Sequence, residues 1–155
     1  MTVQEYAAQQ TERIGESYCQ FLKSTHTERL SWRPSWPGSA ETRSILELTA
    51  ECIAVNHAFA AIMRGSEGSM KPGLIPGSAE EACSQLHASV DDLAAAIRAL
   101  SAEDLERSFK HPKAMIVGKN LILQPYRNMS YHAGQLNLMQ ILYGDIEFHT
   151  PDNWR

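Results

Sequence analysis

Apolar residues recur every three or four positions along most of this chain, which is the spacing of amphipathic helices. The spacing predicts four long helices: residues 3–23, a second from 42 or 43 to 64, a third at 78–100 and a fourth at 120–143. Capping-box pairs stand at the start of the first and third, and Gly65 and Gly144 follow the ends of the second and fourth. The pattern therefore predicts an all-α protein.

The predicted fourth helix carries polar residues on the face that should be buried. At about 100° per residue, one stripe of this helix comprises Leu121, Asn128, His132, Gln135 and Met139. An unpaired buried polar group costs about 1–3 kcal/mol, so these side chains need partners. They form either a ligand-binding site or a structural hydrogen-bond network.

The second and third helices differ in what they place on the inward face. The inward stripe of the second helix is Ile45, Thr49, Cys52, Asn56, Phe59 and Met63, while His57 lies at its flank and is expected at the surface. The third helix presents only apolar residues, namely Ala82, Leu86, Val90, Leu93, Ile97 and Leu100. Among these helices, the inward polar residues that could take part in catalysis or metal binding thus lie on the second and fourth.

A proline- and glycine-containing segment, residues 24–41, separates the first two helices and cannot be a regular helix. It contains Trp32 and Trp36, which are costly to leave in water. These tryptophans either cover one end of the core or line a ligand pocket. The segment is long enough to cross the end of a bundle, so we predict one four-helix-bundle domain, residues 1–155, with a long crossover loop between helices one and two.

Composition narrows the classes of function. A chain of 155 residues with 43% hydrophobic and 21% charged residues is typical of one soluble domain. The net charge of −4 gives no basic surface for nucleic acid, and no uninterrupted apolar run approaches the roughly 18 residues of a membrane span. No signal peptide is evident, and Cys19, Cys52 and Cys83 lack CxxC spacing, which favours a reducing cytoplasm.

Two segments carry a resemblance to a known family. Residues 130–145 read SYHAGQLNLMQILYGD, and residues 44–57 read SILELTAECIAVNH. They resemble the last and second helices of the DinB-like four-helix-bundle superfamily, and the order of helices and loops is similar over nearly the whole chain. The resemblance implies the same bundle that the periodicity predicts.

The resemblance also implies a metal site, made by one histidine on helix two and a His-x-x-x-His pair on the last helix. Here His132 matches the final histidine, and Asn128 stands at the position of its partner. Cys52 stands at the helix-two position, or Glu51 if the register shifts by one residue. Since two of three ligands are replaced, we expect a degenerate site, with zinc or nickel as the metal if one binds.

Three functions follow as hypotheses. The first is a small-molecule-binding or vestigial-site bundle, with Trp32, Trp36, Asn56 and Gln135 as ligand contacts and no certain cofactor. The second, implied by the resemblance, is a metal-dependent thiol transferase or hydrolase-like enzyme, in which Cys52 can also act as a nucleophile paired with His132. The third is a structural homodimer. We expect a small molecule and a second copy as partners, not nucleic acid or membrane.

Overall fold

A computed structural model describes residues 1–149 and shows a helical bundle. The elements are α1 (Val3–Ser24), α2 (Ile45–Met63), α3 (Ala79–Ala99), α4 (Ala102–Glu106), β1 (Ser108–His111), β2 (Ala114–Val117), α5 (Gly118–Leu121) and α6 (Gln124–Leu142). The four long helices are α1, α2, α3 and α6, and both α1 and α2 pack against α3 and α6. The predicted four-helix bundle is confirmed.

Polar side chains set the starts of the helices. Thr2 accepts a hydrogen bond from the backbone N–H of Glu5, as the sequence predicts for α1. The second helix starts later than predicted, because Ser44 is its N-cap and forms a capping box with Glu47. Both side chains there satisfy backbone N–H groups that the first turn leaves without partners.

The inward faces predicted for α2 and α3 are buried at every position. α2 is long and apolar enough to pass a test for a membrane span by length and composition, but most of that stretch is buried inside the bundle. His57, predicted at the surface, is exposed and lies 3.4 Å from a carboxylate oxygen of Asp92. The apolar residues of α2 therefore form part of the bundle core.

α1 and α3 approach closely at one point. A Cβ atom added to Gly15 would lie 3.0 Å from Cγ2 of Val90, so the missing side chain allows the two helices to come together there. Cys19, one turn later on α1, faces Cys83 of α3. The missing side chain at Gly15 thus permits a close approach of α1 and α3 one turn from the two cysteines.

The segment between α3 and α6 contains structure that the periodicity does not predict. β1 and β2 form an antiparallel hairpin in which Ser108 pairs with Val117 and Phe109 with Ile116. The last helix starts at Gln124 instead of residue 120, after the separate turn of α5. Pro125 lies in its first turn, where the missing N–H removes no helical hydrogen bond.

Candidate functional site

The buried face of α6 is rotated from the one predicted. Its buried residues are Pro125, Met129, His132, Ala133, Leu136, Met139 and Gln140. Asn128 and Gln135 are only half-buried, so they lie at the edge of this face, beside His132. The polar cluster therefore borders the core on the side of α2.

His132 makes a polar contact through each ring nitrogen. Its Nδ1 lies 2.6 Å from Oε1 of Gln135, one turn along α6, which is a short hydrogen bond. Its Nε2 lies 3.6 Å from Oε1 of Glu51 on α2. The imidazole is only 5% exposed, so these two contacts and the packing around the ring fix its position.

The two distances are consistent with a neutral imidazole. With Oε1 of Gln135 facing Nδ1, the tautomer that completes this hydrogen bond carries its proton on Nδ1, and in that tautomer Nε2 has the lone pair. Two acceptors cannot hydrogen-bond to each other, which agrees with a separation beyond the usual hydrogen-bond range. Burial lowers the pKa of His132 below its ordinary value, and the positive charge of Arg43 adds to this, while the hydrogen bond to Gln135 acts in the opposite direction.

Glu51 connects this histidine to a cation at the start of α2. The guanidinium of Arg43 forms an ion pair with Oε2 of Glu51, and the other carboxylate oxygen faces His132. The side chain of Glu51 is 25% exposed, so the group borders solvent. The resulting chain of contacts, which we call the His132 network, consists of Arg43, Glu51, His132 and Gln135.

A cavity of about 420 Å³ adjoins the His132 network. Its apolar walls come from α2, α6 and the crossover loop, and its lining residues are Pro34, Trp36, Glu41, Thr42, Arg43, Leu48, His132, Gln135, Leu138, Met139 and Leu142. The volume is in the range of small-molecule sites, and the combination of apolar walls with a few polar groups is typical of them.

The predicted ligand contacts thus divide into two groups. Trp36 and Gln135 both line the cavity. Trp32 is half-buried, packs against the core, and lies edge-on to Tyr143 with ring centroids 6.0 Å apart. Asn56 is fully buried and donates to Oγ of Ser89 at 3.0 Å, which joins α2 to α3.

Cys52 faces a different neighbour from the one that a Cys/His pair requires. Its thiol hydrogen-bonds to the phenol of Tyr18 on α1, and burial raises its pKa to about 12. A thiol with that pKa is protonated near neutral pH, and the protonated form is a poor nucleophile and metal ligand. Of the two helix-two positions considered for a contact with His132, the structure places Glu51 there.

The donor atoms near His132 do not fit the metal centre that the family pattern implies. Within residues 1–149, no group of three or more His, Cys, Asp or Glu side chains is arranged to hold a metal ion. Glu51 is already paired with Arg43, whose positive charge opposes a cation. Asn128 has a buried Oδ1 without a hydrogen-bond partner in the described chain, but an amide oxygen is a weak ligand for zinc or nickel.

A larger cavity of about 620 Å³ lies between α1 and α6, on another face of the bundle. Arg13 and Asn137 are among its polar lining residues, and Phe148 lies at its edge against Phe21, with ring centroids 6.1 Å apart. None of the residues of the His132 network lines it. It is therefore a separate feature of the molecule.

The fold and the inward polar group define a helical bundle in which facing helices present side chains to one site. The profile of the DinB superfamily matches residues 10–135, and the chain belongs to that superfamily. The resemblance noted from residues 44–57 and 130–145 is confirmed at the level of the family.

Two solved structures share this fold. A DinB-like protein from Bacillus subtilis matches with a TM-score of 0.72 at 15% identity, over 94% of this chain and 98% of that one. A DinB-like protein from Bacillus cereus ATCC 10987 matches with a TM-score of 0.69 at 16% identity, over 85% and 87%. At such identities the likeness concerns the fold alone. No match was found among curated proteins.

Proposed function

We propose that this DinB superfamily member binds a small, largely apolar molecule in the cavity beside His132, and that the His132 network replaces a metal centre. The observation that carries the proposal is the contact of Glu51 with both Arg43 and His132. A guanidinium bound to the carboxylate supplies the positive charge that a metal ion would otherwise supply. The charge of the Glu51 carboxylate is therefore balanced by Arg43 without a metal ion.

The residues that line the cavity indicate which class of ligand it binds. The walls include Leu138, Met139 and Leu142, and Trp36 offers a large aromatic surface. The neutral His132, which lines the cavity, presents an acceptor nitrogen, so a ligand hydroxyl or amine can donate to it. We expect a neutral aromatic or alicyclic molecule that carries one hydrogen-bond donor.

Metal analysis tests the proposal against the metal-dependent transferase. The full chain is incubated with excess zinc or nickel and freed of unbound metal. Its metal content is then measured by inductively coupled plasma mass spectrometry. We expect far less than one metal ion per chain, with the same value for His132→Ala. One tightly bound ion per wild-type chain, lost in His132→Ala, would overturn the proposal in favour of the transferase.

Binding of 2-naphthol, a neutral aromatic alcohol, tests the cavity directly. Its fluorescence is followed during titration with wild-type protein and with Leu138→Trp, which fills the cavity from its wall. Ile141→Trp is the matched control, because Ile141 is also exposed on α6 and does not line the cavity. We expect at least a tenfold loss of affinity for Leu138→Trp alone; equal binding by all three proteins would contradict the assignment.

A further inference from the structure

The contact between α1 and α3 brings two cysteine side chains together. Sγ of Cys19 lies 3.8 Å from the carbonyl oxygen of Cys83, and Sγ of Cys83 lies 3.6 Å from the carbonyl oxygen of Cys19. The two thiols are also close enough for each to shift the pKa of the other. Each sulfur therefore faces the other residue across the helix interface.

The backbones of α1 and α3 come close at this point. Gly15, one turn before Cys19, faces Val90 without a side chain and allows the close approach of α1 to α3. A disulfide needs Cα atoms about 4.4–6.8 Å apart, so a point at which two helices approach closely is where a bridge between them can form.

The two thiols differ in their environment. The Cys19 thiol lowers the pKa of Cys83, and the nearby charge of Lys23 acts in the same direction, against burial and the charge of Glu80. The Cys83 thiol and burial raise the pKa of Cys19. Cys83 is also the more exposed of the two residues, at 4% against 2%, so we assign the first attack to its sulfur.

We propose that Cys19 and Cys83 are a redox-active dithiol, which a hydroperoxide oxidises reversibly to an intramolecular disulfide between α1 and α3. The Cys83 thiolate attacks the terminal oxygen of the hydroperoxide and the O–O bond breaks, so that Cys83 becomes a sulfenic acid. The other oxygen leaves as hydroxide or alkoxide and takes up the proton that Cys83 has released. The hydroxyl of the sulfenic acid then takes the proton of Cys19 while the Cys19 sulfur attacks the Cys83 sulfur, and the S–O bond breaks with loss of water. Two thiols are oxidised and one peroxide is reduced.

The location favours a small oxidant. Cys19 is 2% exposed and Cys83 is 4% exposed, so a bulky protein disulfide has no access to either sulfur, whereas hydrogen peroxide is about as small as water. Cys52, the third cysteine, is fully buried on α2, outside the interface of α1 with α3, and its thiol interacts with Tyr18. The chain therefore contains one reactive pair and an internal control.

Peptide mapping tests the proposal on the wild-type chain. Reduced protein is treated with a few equivalents of hydrogen peroxide, unfolded, and its remaining thiols are blocked with N-ethylmaleimide. We expect an intact mass lower by two hydrogen atoms before blocking, a linked peptide pair containing Cys19 and Cys83, and a single blocked thiol at Cys52. Dithiothreitol should restore three blocked thiols.

Three other outcomes would overturn the proposal: a bridge that includes Cys52, overoxidised Cys83 without a bridge, or three intact thiols. Cys52→Ser is the matched control variant and should form the bridge as the wild type does. Cys19→Ser should stop at a sulfenic acid on Cys83, which dimedone traps, and Cys83→Ser should give neither product. Should either of those two variants misfold, the maps of the wild type and Cys52→Ser still decide the question.

Discussion

His132 is the residue whose properties depend most on its surroundings. It lies at the edge of the core, with Gln135 on one nitrogen and Glu51 facing the other. Burial lowers its pKa because water no longer stabilises the imidazolium, and Arg43 adds repulsion. The ring is therefore neutral at pH 7, which leaves Nε2 able to accept a hydrogen bond from a ligand.

The depressed pKa of His132 predicts a specific pH dependence of stability. The unfolded chain, with an ordinary histidine pKa near 6.5, binds the proton more readily than the folded chain does. The free energy of unfolding should therefore be highest above pH 6.5 and should fall as the pH drops from 6.5 through the lower pKa of the folded state. Urea unfolding between pH 7.5 and 5 measures this loss.

The contribution of His132 to that loss is isolated by a variant. His111 also has a lowered pKa, from burial first and from Lys113 second, so the wild-type curve contains both histidines. The difference in pH dependence between the wild type and His132→Gln gives the part of the lost unfolding free energy that comes from His132. This pH-dependent part should vanish above pH 7. His87→Gln, at an exposed position, is the control; a His132→Gln curve parallel to the wild type would contradict the prediction.

The sequence placed the candidate site at His132 but did not determine which residue of the second helix contacts it. The family pattern put Cys52 at the helix-two position of the site, or Glu51 if the register shifts by one residue, and the resemblance did not fix that register. The structure places Glu51 beside His132 and Cys52 beside Tyr18. Arg43 precedes the helix, so helical periodicity carries no information about its direction.

At the scale of the element, α6 is the helix whose inward face the sequence misjudged. Exposed apolar residues on it, Tyr131, Leu138, Ile141 and Leu142, blur the contrast between its faces. Gln140 is fully buried, although its side chain is polar, because its Nε2 donates to the carbonyl of Phe21 and to two hydroxyls at the end of α1. The spacing of Ala133, Leu136 and Gln140 was the available signal for this face.

Gln140 should therefore stabilise the contact of α6 with α1. We expect Gln140→Ala to lower the free energy of unfolding by about 2–4 kcal/mol, since it leaves a cavity and removes hydrogen bonds from buried acceptors. Chemical denaturation measures the change. Gln20→Ala, on the exposed face of α1, should change it by less than about 0.5 kcal/mol; similar losses for both variants would count against the role of Gln140.

Two glycines provide a second test of packing between elements. A Cβ on Gly118 would lie 2.1 Å from the carbonyl oxygen of Asp104, so Gly118→Ala should force α5 away from α4 and destabilise the protein by about 2–3 kcal/mol. Gly134 has open space around its Cβ position in the interior of α6. Gly134→Ala should stabilise the protein by about 0.5–1 kcal/mol through helix propensity. Thermal unfolding of both variants compares the opposite signs directly.

At the scale of the whole molecule, the bundle encloses Cys52 in its core. Cys52 belongs to a core cluster that includes Tyr18, Leu22 and Met129, and none of its side chain is exposed. Local movement of a loop cannot expose it, because it lies in the middle of α2, a long apolar helix that is mostly buried. Reagents should reach this thiol only when the bundle opens.

Alkylation of Cys52 by iodoacetamide should accordingly follow global unfolding. We expect the alkylation rate at pH 8 to equal the rate in the unfolded chain multiplied by the fraction of chains that are unfolded. The rate should therefore rise with urea in parallel with that fraction. With a pKa of about 12 in the fold, no thiolate step should appear in the folded protein below pH 10. Fast alkylation with a midpoint near pH 8.5 would show that Cys52 is exposed and reactive.

Local patterns determined most of the secondary structure. Periodicity and capping residues predicted α1, α2 and α3 to within a few residues, because helix starts depend on side chains within one turn and inward faces depend on spacing along one helix. The same patterns predicted the bundle, while the resemblance of residues 44–57 and 130–145 pointed to the family. These are properties that neighbouring residues establish before any helix meets another.

Only the tertiary structure decided which side chains meet. The contact of Glu51 with His132, its ion pair with Arg43, and the contact of Cys19 with Cys83 join residues from different elements. Such contacts depend on how far each helix is rotated and displaced against its neighbours, and many distant packing interactions set that together. A rotation by one residue changes the partner of His132, which is why the site required the packed bundle.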